Sequence, residues 1–189
     1  NLYSKRLPNY YKVDPIYDIE VLTPMKKGVL GADNLNKILQ EKSNSSKASI
    51  KRGGSTYKLA DKVMQIKNNY DKDIFNGDIG TICSIDEEKE ILEINFDSRI
   101  LKYELGELEE ISLAYACTIH KAQGSEYPII IIPMTTSHFI MLKRNLLYTG
   151  VTRAQKICVL VGDKYAISKA IENNESEKRY TLLQRRLDF

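Results

Sequence analysis

No apolar run in the 189 residues approaches the ~20 consecutive residues that span a bilayer, and no basic-then-apolar signal segment opens the chain. No membrane association is therefore expected. Cysteine is scarce: Cys83, Cys117 and Cys158 show no metal-ligand spacing, and each sits in an apolar, strand-like run. An odd number of buried-looking thiols fits a reducing cytoplasm and argues against a disulfide framework. A dominant charge is missing too, since 28 basic residues face 25 acidic ones for a net +3. That balance is too mild to indicate nucleic acid by itself. There is no internal repeat. No G-x-x-x-x-G-K-[ST] phosphate loop is present; Gly53-Gly54-Ser55 lacks the lysine and a preceding strand. No buried strand leads into an Asp-Glu pair that could hold magnesium, because Asp86-Glu87-Glu88 falls on a turn. The chain starts at Asn1 without a methionine, as a piece of a longer protein would.

What remains is enough for a core: 42% hydrophobic and 28% charged residues. The length suits one domain, or one domain carrying a small insertion. Residues 18–24 (DIEVLTP) read as a short buried strand stopped by proline, followed by a basic turn with two glycines. Residues 32–41 place Leu35, Ile38 and Leu39 at helical spacing. Residues 43–56 (SNSSKASIKRGGST) are polar and aperiodic, the composition of a linker or mobile loop. From Tyr57 the period changes. Residues 62–67 alternate as a half-buried strand should, Asn76-Gly77-Asp78 marks a turn, and residues 79–85, 90–96 and 100–103 continue as short strands. So many strands in under sixty residues predict a small β-barrel.

After Leu113 the pattern becomes strand, polar turn, strand, helix, strand. The run Ile129-Ile130-Ile131-Ile132 and the stretch KICVLV at 156–161 read as fully buried strands, and 143–154 as a helix with Leu142, Leu146 and Leu147 on its apolar side. Such alternation predicts a parallel sheet covered by helices. The basic tail 179–189 reads as a terminal helix. The chain is accordingly α/β, with residues 1–55 and 113–189 forming one discontinuous domain and residues 56–112 a β-rich insertion.

Polar chemistry gathers in two places, residues 118–126 and 148–153, both at ends of α/β elements; open parallel sheets bind ligands at the carboxyl ends of their strands. Thr118, His120 and Lys121 can donate to phosphate oxygens, Gly124 permits close backbone approach, and Glu126 can accept from a ribose hydroxyl. Taken singly, each also has a plain structural reading: a surface histidine, a capping glycine, a solvated lysine.

Together they form a pattern. T-I-H-K-A-Q-G-S-E, followed by L-Y-T-G-V-T-R-A, resembles motifs five and six of the superfamily 1 helicases, and most of all those of the RecD-like branch, which moves 5′ to 3′ on single-stranded DNA. V-L-T-P-M-K-K-G at 21–28 is similar to that family's motif four, and D-K-V-M-Q, N-N-Y-D and F-N-G-D-I-G resemble the segment holding its SH3-like insertion. The resemblance implies a RecA-like parallel sheet interrupted by an SH3-like β-barrel, forming the second motor domain of a helicase. It also implies site residues. Thr118 and His120, with Asn69 of the insertion, would contact single-stranded DNA. Lys27, Gly124 and Glu126 would face ATP, and Arg153 would be the arginine finger. Lys27 stands where the family often has arginine, and Ala60 where it has glycine. ATP and Mg2+ would serve the full-length protein, with no metal ligand in this chain. The implied partners are single-stranded DNA and an N-terminal motor domain of the same parent chain, in a monomer. Two other readings stand beside this one: a non-catalytic binding module for single-stranded nucleic acid or protein, using Lys67, Asn68, Asn69, Tyr70 and Lys72, and a motor acting on RNA.

Overall fold

The computed structural model describes residues 1–174; the basic tail lies outside the described residues. The N-terminal segment is helical, with a π-helical turn (Leu2–Arg6) leading into α1 (Leu7–Tyr11) and then α2 (Pro15–Asp18). Strand β1 (Ile19–Thr23) follows, then α3 (Ala32–Ser43). A hairpin of β2 (Ser49–Arg52) and β3 (Ser55–Lys58) precedes β4 (Lys62–Gln65), β5 (Ile79–Asp86), β6 (Ile91–Phe96), β7 (Arg99–Glu104) and β8 (Ile111–Leu113). The chain returns through β9 (Ala116–Thr118), β10 (Tyr127–Met134), α4 (Arg144–Val151), β11 (Ala154–Gly162) and α5 (Lys164–Glu172).

The strands sort into two main sheets. One is parallel, in the order β11-β10-β1-β9; the other is antiparallel, in the order β7-β6-β5-β4-β8. The parallel sheet is covered on both faces. Ile19, Val21, Ile129 and Ile131 pack under Tyr3, Leu7, Leu35 and Leu39, while Leu22, Ile130 and Ile132 pack under Leu146, Leu147, Ala166 and Ala170. Period-two alternation sends each strand's odd and even residues to opposite helical layers, and so β10 is apolar without interruption from Ile129 to Ile132. Gly150 is the packing residue of α4. A Cβ there would lie 3.0 Å from Ile132 Cδ1 and 3.3 Å from Ile119 Cδ1, so glycine lets the helix settle on the sheet.

Several expectations change. Residues 43–56 are not a mobile loop, because β2 and β3 pair in register from Ser49↔Lys58 to Arg52↔Ser55. The turn Gly53-Gly54 has φ of +56° and +80°, a hairpin turn that favours glycine at both positions. Polar composition concealed a hairpin whose two apolar residues, Ile50 and Tyr57, enter the core of the antiparallel sheet. That sheet does not close on itself: among the described residues β7 and β8 end the strand order without pairing to each other, so the barrel is open. Strand β4 is buried throughout, not half-buried, and its Lys62 and Gln65 are buried with it. Strand β11 is a partly exposed edge, not a fully buried strand, since no strand among the described residues pairs beyond it. Residues 113–117 are divided: Leu113 ends β8 in the antiparallel sheet and Ala116 begins β9 in the parallel one.

Candidate nucleic-acid and nucleotide site

Strands β1 and β9 end side by side, with Thr23 opposite Thr118, and the Ile119 amide continues the ladder onto the Thr23 carbonyl at 3.0 Å. Both chains then turn off the same edge of the sheet. The first turn carries Lys26 and Lys27, the second His120 and Lys121. Thr118 caps its own turn, accepting from the Lys121 amide on Oγ1 at 3.3 Å. Ile119 and Ala122 point into the core, which leaves His120, Lys121 and Gln123 facing out. Burial pushes the Lys121 ammonium below the usual lysine range, and the neighbouring Lys26 charge pushes the same way. Two ammonium groups held close, with no carboxylate paired to either among the described residues, make this edge attractive to an anion.

Residues 119–124 carry the chain back along the sheet, and Gly124 bends it with φ +91°. Empty space surrounds the position of a Cβ there, so conformation and not crowding selects glycine. Strand β10 begins at Tyr127, level with Ala154 of β11. Register counting gives the span. Thr118 is level with Thr23, four positions beyond Ile19, while Tyr127 lies two positions before Ile129, the partner of Ile19. Six positions at ~3.3 Å separate the two ends by about 20 Å.

Glu126 and Arg153 meet at this second edge. The Tyr127 amide donates to the Arg153 carbonyl at 2.9 Å. The Arg153 guanidinium donates from Nε to Thr149 O at 3.3 Å, from one terminal nitrogen to Ser125 O at 3.2 Å and from the other to Thr152 Oγ1 at 3.4 Å. It thereby caps the carbonyl end of α4 and ties that helix to the turn carrying Glu126. Three of its five N–H donors are used, and two remain for an incoming oxyanion. Glu126 is exposed and has no side-chain partner among the described residues. A cleft of about 420 Å³ opens beside it between the two sheets, lined by Tyr17, Lys62, Thr81, Asn95, Glu126 and Tyr127.

The structure thus brings together Thr118 and His120, and separately Glu126 and Arg153, with Gly124 on the path between them. Lys27 follows the carboxyl end of β1, on the Thr118 side and away from Arg153. Gly150 approaches Ile132 and Ile119, not open space where a phosphate could lie. Asn69 stands apart. It bridges to Ile74 beyond the far end of β4, its Nδ2 donates to Glu110 at 3.0 Å, and its Oδ1 accepts from the Lys72 amide at 3.1 Å. That turn instead displays Tyr70, 77% exposed, edge-on to Phe75 at 6.1 Å.

The sequence reading missed a buried polar network at the junction of the sheets. Asp61, with no exposed surface, accepts from Gln40 Nε2, from Asn44 Nδ2 at 2.7 Å, from the Tyr115 hydroxyl at 2.8 Å and from the Lys58 amide at 2.7 Å. Burial lifts its carboxyl above the usual range, against the pull of these donors. Beside it, Lys62 Nζ lies 2.7 Å from the Glu20 carboxylate, both fully buried. A charged pair in an apparently alternating strand was the available signal. Ala60, immediately before, has φ +68°, the left-handed conformation that a glycine there would adopt freely. Among the described residues no three His, Cys, Asp or Glu side chains gather as a metal site, and no helix is long and apolar enough to cross a membrane.

Comparison with known proteins shows the family of the chain. Residues 35–96 match the family of ATP-dependent RecD-like DNA helicase SH3 domains, and residues 113–161 match the UvrD-like helicase C-terminal domain. The chain is 35% identical over 167 residues to the ATP-dependent RecD2 DNA helicase of Deinococcus radiodurans, covering 88% of this chain and 23% of that protein. It is 30% identical over 174 residues to the RecBCD enzyme subunit RecD of Buchnera aphidicola, covering 87% of this chain and 28% of that one. The chain spans about a quarter of the length of these relatives. A Pif1 helicase from Bacteroides, solved with ADP-AlF3 and single-stranded DNA, shares the fold with a TM-score of 0.58 at 18% identity, over 98% of this chain and 47% of that one. The chain belongs to the RecD-like helicases, of which it carries the SH3-like segment and the UvrD-like C-terminal segment.

Proposed function

We propose that the chain is the C-terminal motor half of an ATP-dependent 5′-to-3′ DNA helicase. It grips single-stranded DNA on one edge of its parallel sheet and completes an ATP site on the other. The observation that carries this reading is the path of residues 118–127. One short segment begins among Thr118, His120 and Lys121 and ends at Tyr127, some 20 Å along the strands, where Ser125 and Tyr127 on either side of Glu126 are hydrogen-bonded to Arg153. A shift at either end is felt at the other.

Thr118 and His120 hold backbone phosphates, which carry no sequence information. Glu126 accepts from a ribose, and Lys27 supplies a further phosphate contact. Its place beside Thr118 favours a phosphate of DNA over one of ATP. Arg153 fits an anionic group by virtue of its two spare donors. ATP supplies a γ-phosphoryl whose charge spreads over more oxygens during transfer, and a guanidinium fork stabilises that charge. The phosphate loop and the Mg2+ ligands belong to an N-terminal motor domain of the parent chain, which acts as a cytoplasmic monomer. The isolated chain does not turn over ATP. Residues 1–55 and 113–189 form the motor domain and 56–112 the insertion, with the β2–β3 hairpin a candidate to join the latter because its apolar residues do. Asn69 serves DNA through its turn, its own side chain being engaged internally.

The test is Arg153→Ala in the full-length protein. Turnover falls by about 10³-fold or more while ATP binding weakens far less, and Arg153→Lys restores little. A variant that melts earlier yet keeps its kcat would make Arg153 a helix cap only.

A further inference from the structure

The proposed ATP edge is built from residues 125–127 and Arg153, yet one group that touches it comes from the other sheet. Lys62, the first residue of β4, places its ammonium 5.8 Å from the centre of the Tyr127 ring. Tyr127 directly follows Glu126, and its amide holds the Arg153 carbonyl. Its hydroxyl is buried with no hydrogen bond of good geometry among the described residues, and Ser125 beside it gives the ring's far end only a weak hold. Packing and the cation over its face orient the ring as well. Lys62 is itself fixed: Glu20 of β1 holds Nζ at 2.7 Å, and the Lys62 carbonyl receives the Ala114 amide at 2.9 Å. Asp61 next to it is locked to Tyr115 and α3. Such a pair costs more desolvation than a hydrophobic replacement would, so stability alone is a weak reason to keep it.

We propose that Lys62 is a positioning residue, by which the antiparallel sheet sets the place of Tyr127 and so of Glu126 and Arg153. The functional half of this statement rests on the ATP-site reading above; the structural half does not. Strain on the insertion, as from a strand drawn across it, then reaches the ATP edge through this side chain.

The experiment uses the double variant Glu20→Gln with Lys62→Met in the full-length protein, which removes both charges together and leaves no buried ion unpaired. Lys62→Met alone strands Glu20 and serves as the destabilised control. Two quantities are read at matched folded fraction: amide hydrogen exchange at Tyr127, and kcat and KM for ATP. We expect the double variant to melt near wild type while Tyr127 exchanges at least about tenfold faster and KM rises. Unchanged exchange at Tyr127 in a normally melting double variant overturns the inference. Faster exchange with wild-type kcat and KM supports the positioning role and instead removes Glu126 and Arg153 from the ATP site.

Discussion

Replacing Asp61 by alanine removes the acceptor at the centre of the buried network that joins the two sheets. The carboxylate accepts four hydrogen bonds with no exposed surface. The donors differ in what they lose. Tyr115 loses its acceptor outright, and the Lys58 amide loses its own. Gln40 Nε2 keeps Thr56 O, and Asn44 Nδ2 keeps Leu59 O at 2.8 Å, so each forfeits one of two bonds. A buried donor left unmade costs roughly 1–3 kcal/mol. Two full and two partial losses, offset by the carboxylate's own desolvation, give about 3–5 kcal/mol. For a chain of this length that is a Tm drop on the order of 6–20 °C in a thermal melt of the purified protein. Asp61→Asn should recover part of the loss, because its Oδ1 still accepts while its amide nitrogen adds a donor to a site that offers donors. Burial raises the folded-state pKa of Asp61, so the folded form holds a proton more tightly than the unfolded one. Stability from this group is therefore full below the unfolded value of about 3.9 and declines as pH climbs through the folded value. The margin of wild type over Asp61→Asn should accordingly narrow as pH rises from about 4. An alanine variant melting within about 2 °C of wild type would refute the account of the network.

Ala60→Gly should stabilise by about 0.5–1 kcal/mol, since φ +68° strains alanine and not glycine; a lower Tm would show that the turn relaxes without it. Gly162→Ala should destabilise by about 2–4 kcal/mol, because its Cβ would sit 1.9 Å from Met134 O at φ +143°, and urea titration reads this as a lowered midpoint with constant slope. In the full-length protein, Thr118→Ala and His120→Ala should each weaken oligonucleotide binding for every sequence alike. Wild-type affinity in both would remove that turn from the DNA interface.

The elements of the parallel sheet were legible because burial on both faces writes itself as unbroken apolar runs, as at residues 129–132, and a helix as spaced leucines. The motif residues were legible as types: a hydroxyl, an imidazole, a glycine and an arginine at fixed spacing. Local composition misled where two apolar residues sufficed for a hairpin, as with Ile50 and Tyr57, and where a strand's exposure depended on a neighbour, as with β11. Tertiary structure alone decided that Thr118 and Arg153 stand at opposite edges, because a parallel register is fixed between strands far apart in sequence. It alone decided that Asp61 and Lys62 are buried. A charge enters a core only where donors and a counter-ion converge, and here Gln40, Asn44 and Tyr115 converge on Asp61 and Glu20 on Lys62, from segments 17 to 54 residues away.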